Sequence, residues 1–259
     1  MLRAAFSFLA ACGLVACAGT AQAAFIDFAG FVHGEILDTD FLASDGLTIS
    51  ADNPNRSFDW AVVFDTSLSG TRDPDLEGPA GRLWDGGNVA PDEVFGNVLI
   101  VQENDTGCAD DQCYLSDDET GTNCGGDLIF SFQDRMTRFG FDVVDIESGQ
   151  AAGARVLFFD GAGPAVATVF FSEFECAVGP FCDGTVDFAG DNSANHLSDM
   201  TATALGITGF DRVVIDLNGS GGIDHLRFDG PQVPEPALAW LVLLALAWLG
   251  RAHQPSRSE

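Results

Sequence analysis

Apolar positions in this chain come in short runs: Trp60–Phe64, Asn97–Val101, Leu128–Phe132, Arg138–Val144, Arg155–Phe159 and Ala165–Phe171. They are rich in β-branched and aromatic residues, which suit a pleated, packed surface, and they are too short for helices. Gly, Asp, Asn and Pro punctuate them and supply the backbone conformations that turns require. Late in the chain, Arg212–Leu217 and Ile223–Phe228 flank Asn218-Gly-Ser-Gly-Gly222, a spacing that predicts a β-hairpin. No stretch of residues 24–232 sustains a helical period, and no internal repeat is evident. The expectation is one all-β domain over 24–232, a two-sheet β-sandwich of the jelly-roll kind.

The two ends follow a different pattern. Arg3, the apolar stretch Ala4–Ala18 and Ala21-Gln22-Ala23 form the three parts of a secretory signal peptide over 1–23, with cleavage before Ala24. Leu14-Val15-Ala16-Cys17 is a competing lipobox that would leave Cys17 lipidated. At the other end, Val233-Pro234-Glu235-Pro236 leads into the apolar run Ala237–Leu249, and Arg251 follows. As a helix this run spans roughly 20 Å, short of the roughly 30 Å hydrocarbon core. Trp240 and Trp248 stand where the two interfaces would lie. A marginal anchor of this kind suits a segment that is later removed.

The order of motif, apolar run and basic residue over 233–259 resembles the PEP-CTERM sorting signal of exported Gram-negative proteins. In that family exosortase recognises and processes the segment matched here by Pro234, Glu235 and Pro236. The resemblance implies export, transient inner-membrane anchoring through a C-terminal hydrophobic sorting helix, and a final place at the cell surface or in the extracellular matrix. One departure concerns processing: Arg251 stands alone and Ala-His-Gln-Pro-Ser-Arg-Ser-Glu follows it, where typical tails end in an arginine cluster. Asp45–Ile49, Val63–Asp65, Asp73–Leu76, Gly96–Ile100 and Gly125-Gly126 are similar to a domain that recurs in such proteins and, in outline, to carbohydrate-binding jelly rolls. The closing Gly222–Phe228 segment is similar to their last strand, which implies Asp224 as a ligand of structural calcium.

Charge narrows the partners. Of 39 acids, Glu235 and Glu259 fall in the tail, leaving 37; of 11 basic residues, all Arg, Arg3, Arg251 and Arg257 fall in the end segments, leaving 8. So acidic a domain lacks the basic footprint that nucleic acid or an anionic membrane surface requires, and it favours divalent cations. The chain's 22 Phe, 20 of them in this domain, provide ample apolar mass for a core, so the charge does not imply disorder. Five cysteines follow the signal peptide, and in an exported chain disulfides are the default. Cys176 and Cys182 are expected to pair. Two of Cys108, Cys113 and Cys124 should also pair, with Cys113–Cys124 preferred over Cys108–Cys124.

Within the domain, Asp73 and Asp75 lie in a long loop over about 66–96 and have the alternate spacing of a calcium loop, the other reading being a solvated loop whose Asp residues cap turns. The acidic segment Asn104–Gly126, which includes Asp117 and Asp118, is a disulfide-held loop with calcium capture as a second reading. Asp216–Asp224 partly matches an EF-hand loop, but Arg227 stands where its last acid should be, so the hairpin reading is preferred. Of the aromatics that could stack on a sugar, Trp84 and Tyr114, both in loops, are better candidates than Trp60, which reads as core. No nucleophile or zinc-protease motif occurs, Lys is absent, and the only histidines after the signal peptide and before the tail are His33, His196 and His225. The expectation is a non-catalytic, calcium-stabilised surface or matrix protein, processed by exosortase and associated with exopolysaccharide or biofilm. A directly glycan-binding module is the alternative, followed by a glycoside hydrolase built on two facing carboxylates.

Overall fold

The structure is a computed structural model and describes residues 23–79, 82–118, 125–182 and 184–230. The signal segment up to Gln22 with Cys17, the motif Pro234-Glu235-Pro236 with its apolar run, and Cys124 lie outside the described residues. Among the described residues no helix is long and apolar enough to cross a membrane.

The strands are β1 (Ala23–Ile26), β2 (Ile36–Leu37), β3 (Leu47–Asp52), β4 (Ala61–Asp65), β5 (Gly86–Gly87), β6 (Asn97–Val101), β7 (Cys108–Ala109) and β8 (Gln112–Cys113). After these come β9 (Asp127–Met136), β10 (Arg138–Val144), β11 (Arg155–Phe159), β12 (Ala167–Phe170), β13 (Ser193–His196), β14 (Met200–Thr201), β15 (Phe210–Asp216) and β16 (Gly222–Asp229). The larger sheet runs β2-β4-β6-β16-β10-β13-β5, with β1 also on β16 and β14 on β10. The smaller runs β12-β11-β15-β9-β3, and β7 and β8 form a separate hairpin. The predicted all-β class is thus observed, and β10 and β11 begin and end where the apolar runs do.

One face of each sheet feeds a common core. In the smaller sheet Leu47, Ile49, Leu128, Phe130, Phe132, Val156, Phe158, Val213 and Ile215 are buried at alternate positions, as a period of two requires. They meet Phe139, Phe141 and Val143 of β10, and Ile223, Leu226 and Phe228 of β16. Phenylalanine rings bridge the sheets: Phe132 and Phe228 have centroids 5.0 Å apart, and Phe130 and Phe139 5.5 Å. Such edge-on and tilted pairs are worth about 0.5–1.5 kcal/mol each beyond the area they bury.

A second core lies on the outer face of the larger sheet. Val62, Phe64, Val98, Ile100, Val144 and Ala194 pack there beneath Leu76, Trp84 and Phe95 of the 66–96 segment and Cys113 of β8. This explains why β4 and β6 are continuous apolar runs rather than alternating ones: both of their faces are covered.

Three expectations need correction. β15 and β16 form no hairpin: β15 pairs with β9 and β11 in the smaller sheet, β16 with β1, β6 and β10 in the larger, and residues 217–221 carry the chain between layers. The Gly-rich linker reads as a two-strand turn in sequence, but the inner-face residues of both strands are satisfied only in opposite sheets. Cys113 is bonded to Cys108, not Cys124, because the tight β7–β8 hairpin sets residues 108 and 113 directly opposite one another. Trp84 is only 2% exposed and donates its indole N–H to the Glu93 carbonyl at 2.8 Å, so it offers no face to a sugar. Cys176 and Cys182 are bonded to each other, and Tyr114 is exposed. Trp60 is half-buried and stacks on Phe58 at 4.4 Å.

Candidate metal centre

At one end of the larger sheet five separate segments converge on a chamber of acids. The long loop contributes Asp73 and Asp75, and the segment after β8 contributes Asp118. Asp145 follows the last residue of β10, Asn192 precedes β13, and Ser220 and Gly221 lead into β16. Asp73, Asp118 and Asp145 are 1%, 2% and 3% exposed, and Asn192 is wholly buried.

Backbone contacts tie the segments together. The Asp118 N–H donates to Asp73 Oδ2 at 3.4 Å, the Leu76 N–H to Asp73 Oδ1 at 3.4 Å, and the Gly221 N–H to Asp118 Oδ2. Asp145 N–H donates to the Ser193 carbonyl at 2.9 Å, and Asn192 N–H to the Asp75 carbonyl at 3.2 Å. Asp145 and Asn192 both sit at positive φ, 58° and 61°, which short polar side chains tolerate best among non-glycine residues. Gly221 has φ 130°, and a Cβ there would lie 2.5 Å from Ile146, so only glycine brings its N–H to Asp118.

The chamber is electrostatically one-sided. Among the described residues no arginine or histidine pairs with Asp73, Asp118 or Asp145; the nearest ion pair is half-exposed Arg82 at 4.0 Å from Asp75. Burial, then the charge of Asp73 and a hydrogen bond to it, push the Asp118 carboxyl well above the usual carboxylate range. Burial and the charges of Asp73 and Asp75 push Asp145 up to about 8. Burial and Asp191 raise Asp75 as well. Among the described residues Asp118 Oδ1, Asp145 Oδ1 and the side-chain oxygen of Asn192 have no hydrogen-bond partner. Buried acceptors are almost always satisfied, so three left without donors make this an unbalanced cluster. All are hard oxygen donors, the kind calcium takes six to eight of at 2.3–2.6 Å.

Asp73 and Asp75 thus share this site, while Asp224 stands apart, on the outer face of β16. The register of β10 against β16 shifts at Gly140/Asp142, and His225 has φ 50°. This bulge keeps Ile223 and Leu226 in the inner core while the two residues between them leave it. Asp224 is fully buried, both its carboxylate oxygens lack a hydrogen-bond partner, and burial pushes it up to about 9. Its cross-strand partner is Asp142, 2% exposed and ringed by donors. The Nδ1 atoms of His196 and His225 lie 2.7 and 2.8 Å from Asp142 Oδ2, and Arg227 Nη1 donates to Asp142 Oδ1 at 2.9 Å. Burial alone would raise Asp142, but these histidines and Arg227 outweigh it and hold the carboxyl below its ordinary value.

The pattern in sequence marked Asp73, Asp75 and Asp118 as acids in loops; it did not mark Asp145, Asn192 or Asp142. For Asp142 a signal existed: it is the one charged residue inside the apolar run Phe139–Val144. No protein-family profile matches this chain, and no curated protein matches it.

Proposed function

We propose that residues 24–232 form a non-catalytic, calcium-stabilised β-sandwich of the jelly-roll kind, exported and held at the cell surface or in an exopolysaccharide matrix after exosortase removes the tail. The observation that carries the calcium reading is the Asp73–Asp118–Asp145 cluster: among the described residues Asp118 Oδ1, Asp145 Oδ1 and the Asn192 side-chain oxygen have no donor, and the three carboxylates have no counter-charge. A dication there offsets the mutual repulsion of the carboxylates in the folded state only, and binding confined to the native form stabilises it by mass action. Asp75 and Asn192 offer further oxygens beside them, and Asp224 belongs to a different cluster.

Export rests on the three-part ends of the sequence and is supported by two disulfides, which persist in oxidising compartments. The glycan-binding alternative loses Trp84 to the second core and retains exposed Tyr114. Melting curves test the calcium reading. Millimolar calcium should raise the melting temperature more than sodium chloride of matched ionic strength, whereas equal shifts in the two salts would leave only a screened acidic surface.

A further inference from the structure

The outer face of the larger sheet carries a second constellation, chemically unlike the acid chamber. His196 at the end of β13 and His225 in β16 aim their Nδ1 atoms at one oxygen, Asp142 Oδ2, and these three atoms lie within 4.8 Å of one another. Each ring's other nitrogen faces a different carboxylate. Nε2 of His196 is 2.9 Å from Glu93 Oε1, and Nε2 of His225 is 3.4 Å from Asp224 Oδ2. Phe95 covers both rings, stacking on His196 at 5.8 Å and tilting over His225 at 5.4 Å, and Phe25 stacks on His225 from the other element at 5.4 Å.

The geometry suits a bound ion. With a cation on the Nδ1 side of His196, Nδ1 ligates and Nε2–H donates to Glu93. His225 has the same layout, with Asp224, otherwise without a hydrogen-bond partner, on its far nitrogen. A carboxylate behind each ligating histidine fixes the tautomer and the ring orientation, the usual support for a metal-bound imidazole.

We propose that Asp142 Oδ2, His196 Nδ1 and His225 Nδ1 bind a divalent transition ion of the zinc class. Two imidazoles and one carboxylate are the donor set that borderline-soft ions prefer and calcium does not. Arg227 holds the other Asp142 oxygen and is itself bound to Asp199 at 2.8 Å, which keeps Oδ2 turned to the histidines. Bonds of about 2.0–2.2 Å in tetrahedral geometry set ligand atoms roughly 3.3–3.6 Å apart, so the nitrogens and oxygen must part by about 0.5–0.9 Å from their present 2.7 and 2.8 Å. The His196 side chain is 43% exposed, so the ion can enter from solvent and a water can take the fourth position. This site is independent of the calcium chamber and stands or falls without it.

Zinc titration of the purified protein by calorimetry, in excess calcium to occupy the acid chamber, tests the assignment. One equivalent of zinc should bind, binding should vanish in His196→Asn and His225→Asn, and Glu93→Gln should weaken it about tenfold. Asp145→Asn should leave it unchanged. Copper substituted for zinc should show hyperfine coupling to two nitrogens. Because His196 is half-exposed, its variant is the control against misfolding, checked by an unchanged melting temperature in the absence of zinc. No stoichiometric binding in excess calcium would overturn the proposal, as would zinc binding of equal strength in folded His196→Asn.

Discussion

Replacing Asp145 by Asn should move stability in opposite directions with and without calcium. In the metal-free protein Asp145 is pushed up from 3.8 to about 8. At about 1.4 kcal/mol per pH unit, holding it ionised costs on the order of a few kcal/mol above pH 8 and less at pH 7, where the group is mostly protonated. A raised carboxyl binds its proton more tightly in the fold, so its contribution favours the native state at low pH and is lost as pH rises from about 4 through about 8. Asn keeps the size and tolerates the φ of 58° but carries no charge. In a chelator at pH 8, Asp145→Asn should therefore melt several degrees above the parent, since 1 kcal/mol corresponds to about 2–4 °C in a domain of this size. In millimolar calcium the order should reverse, because the parent gains the ion and the variant loses a ligand. Scanning calorimetry of both proteins in chelator and in calcium reads the crossing directly. A variant that melts lower than the parent in chelator, or that gains as much from calcium, would refute the argument that the chamber is a repulsive site neutralised by a cation.

Other expectations follow from the same structure. Asp127 faces Asp52 and Asp216 across β3, β9 and β15, and burial with these two charges raises it to about 6 despite Arg155. Asp127→Asn should raise the melting temperature at pH 7 to 8, and the gain should fade as pH falls through about 6 and vanish below about 3, where the parent carboxyl is protonated in both states. Trp84→Ala should cost roughly 3–5 kcal/mol in denaturant titration by emptying the second core, with no effect on any glycan binding. Mass spectrometry of the protein from a host with exosortase should find a mature form without Trp240 and Trp248, and retention of both would contradict the sorting reading.

The strands were legible because their apolar content is local: β6, β10 and β11 coincide with runs visible in the chain. What joins them was not. β15 and β16 look like a hairpin because the turn signal at 218–222 is local, whereas their assignment to opposite sheets is decided by Val213 and Ile215 on one side and Ile223, Leu226 and Phe228 on the other. Trp84 looked free because a loop position says nothing of what folds beneath it; the outer faces of β4 and β6 needed a cover, and their unbroken apolar runs were the clue. The acid chamber was half legible. Asp73 and Asp75 carried the spacing of a ligand loop, but Asp145 and Asn192 reach them only through tertiary structure, and in a chain with this many acids abundance hides placement. The histidine pair was invisible for the same reason, since 29 residues separate His196 from His225 and only the bulge in β16 turns the second toward Asp142.

The position of β16 sets an order of assembly. It is the last of the described strands in sequence, yet it lies inside the larger sheet, bonded to β1, β6 and β10. Until residues 222–229 emerge, the nascent chain holds strand edges that have no mutual partner, and the Gly221 donor to Asp118 is missing as well. The larger sheet therefore cannot be completed piecemeal from the N-terminus; it closes in one late step, when its first and last strands meet at Ala23 and Asp229. Long-range pairing of this kind folds slowly, and a chain kept open until this strand arrives exposes unpaired strand edges for longer.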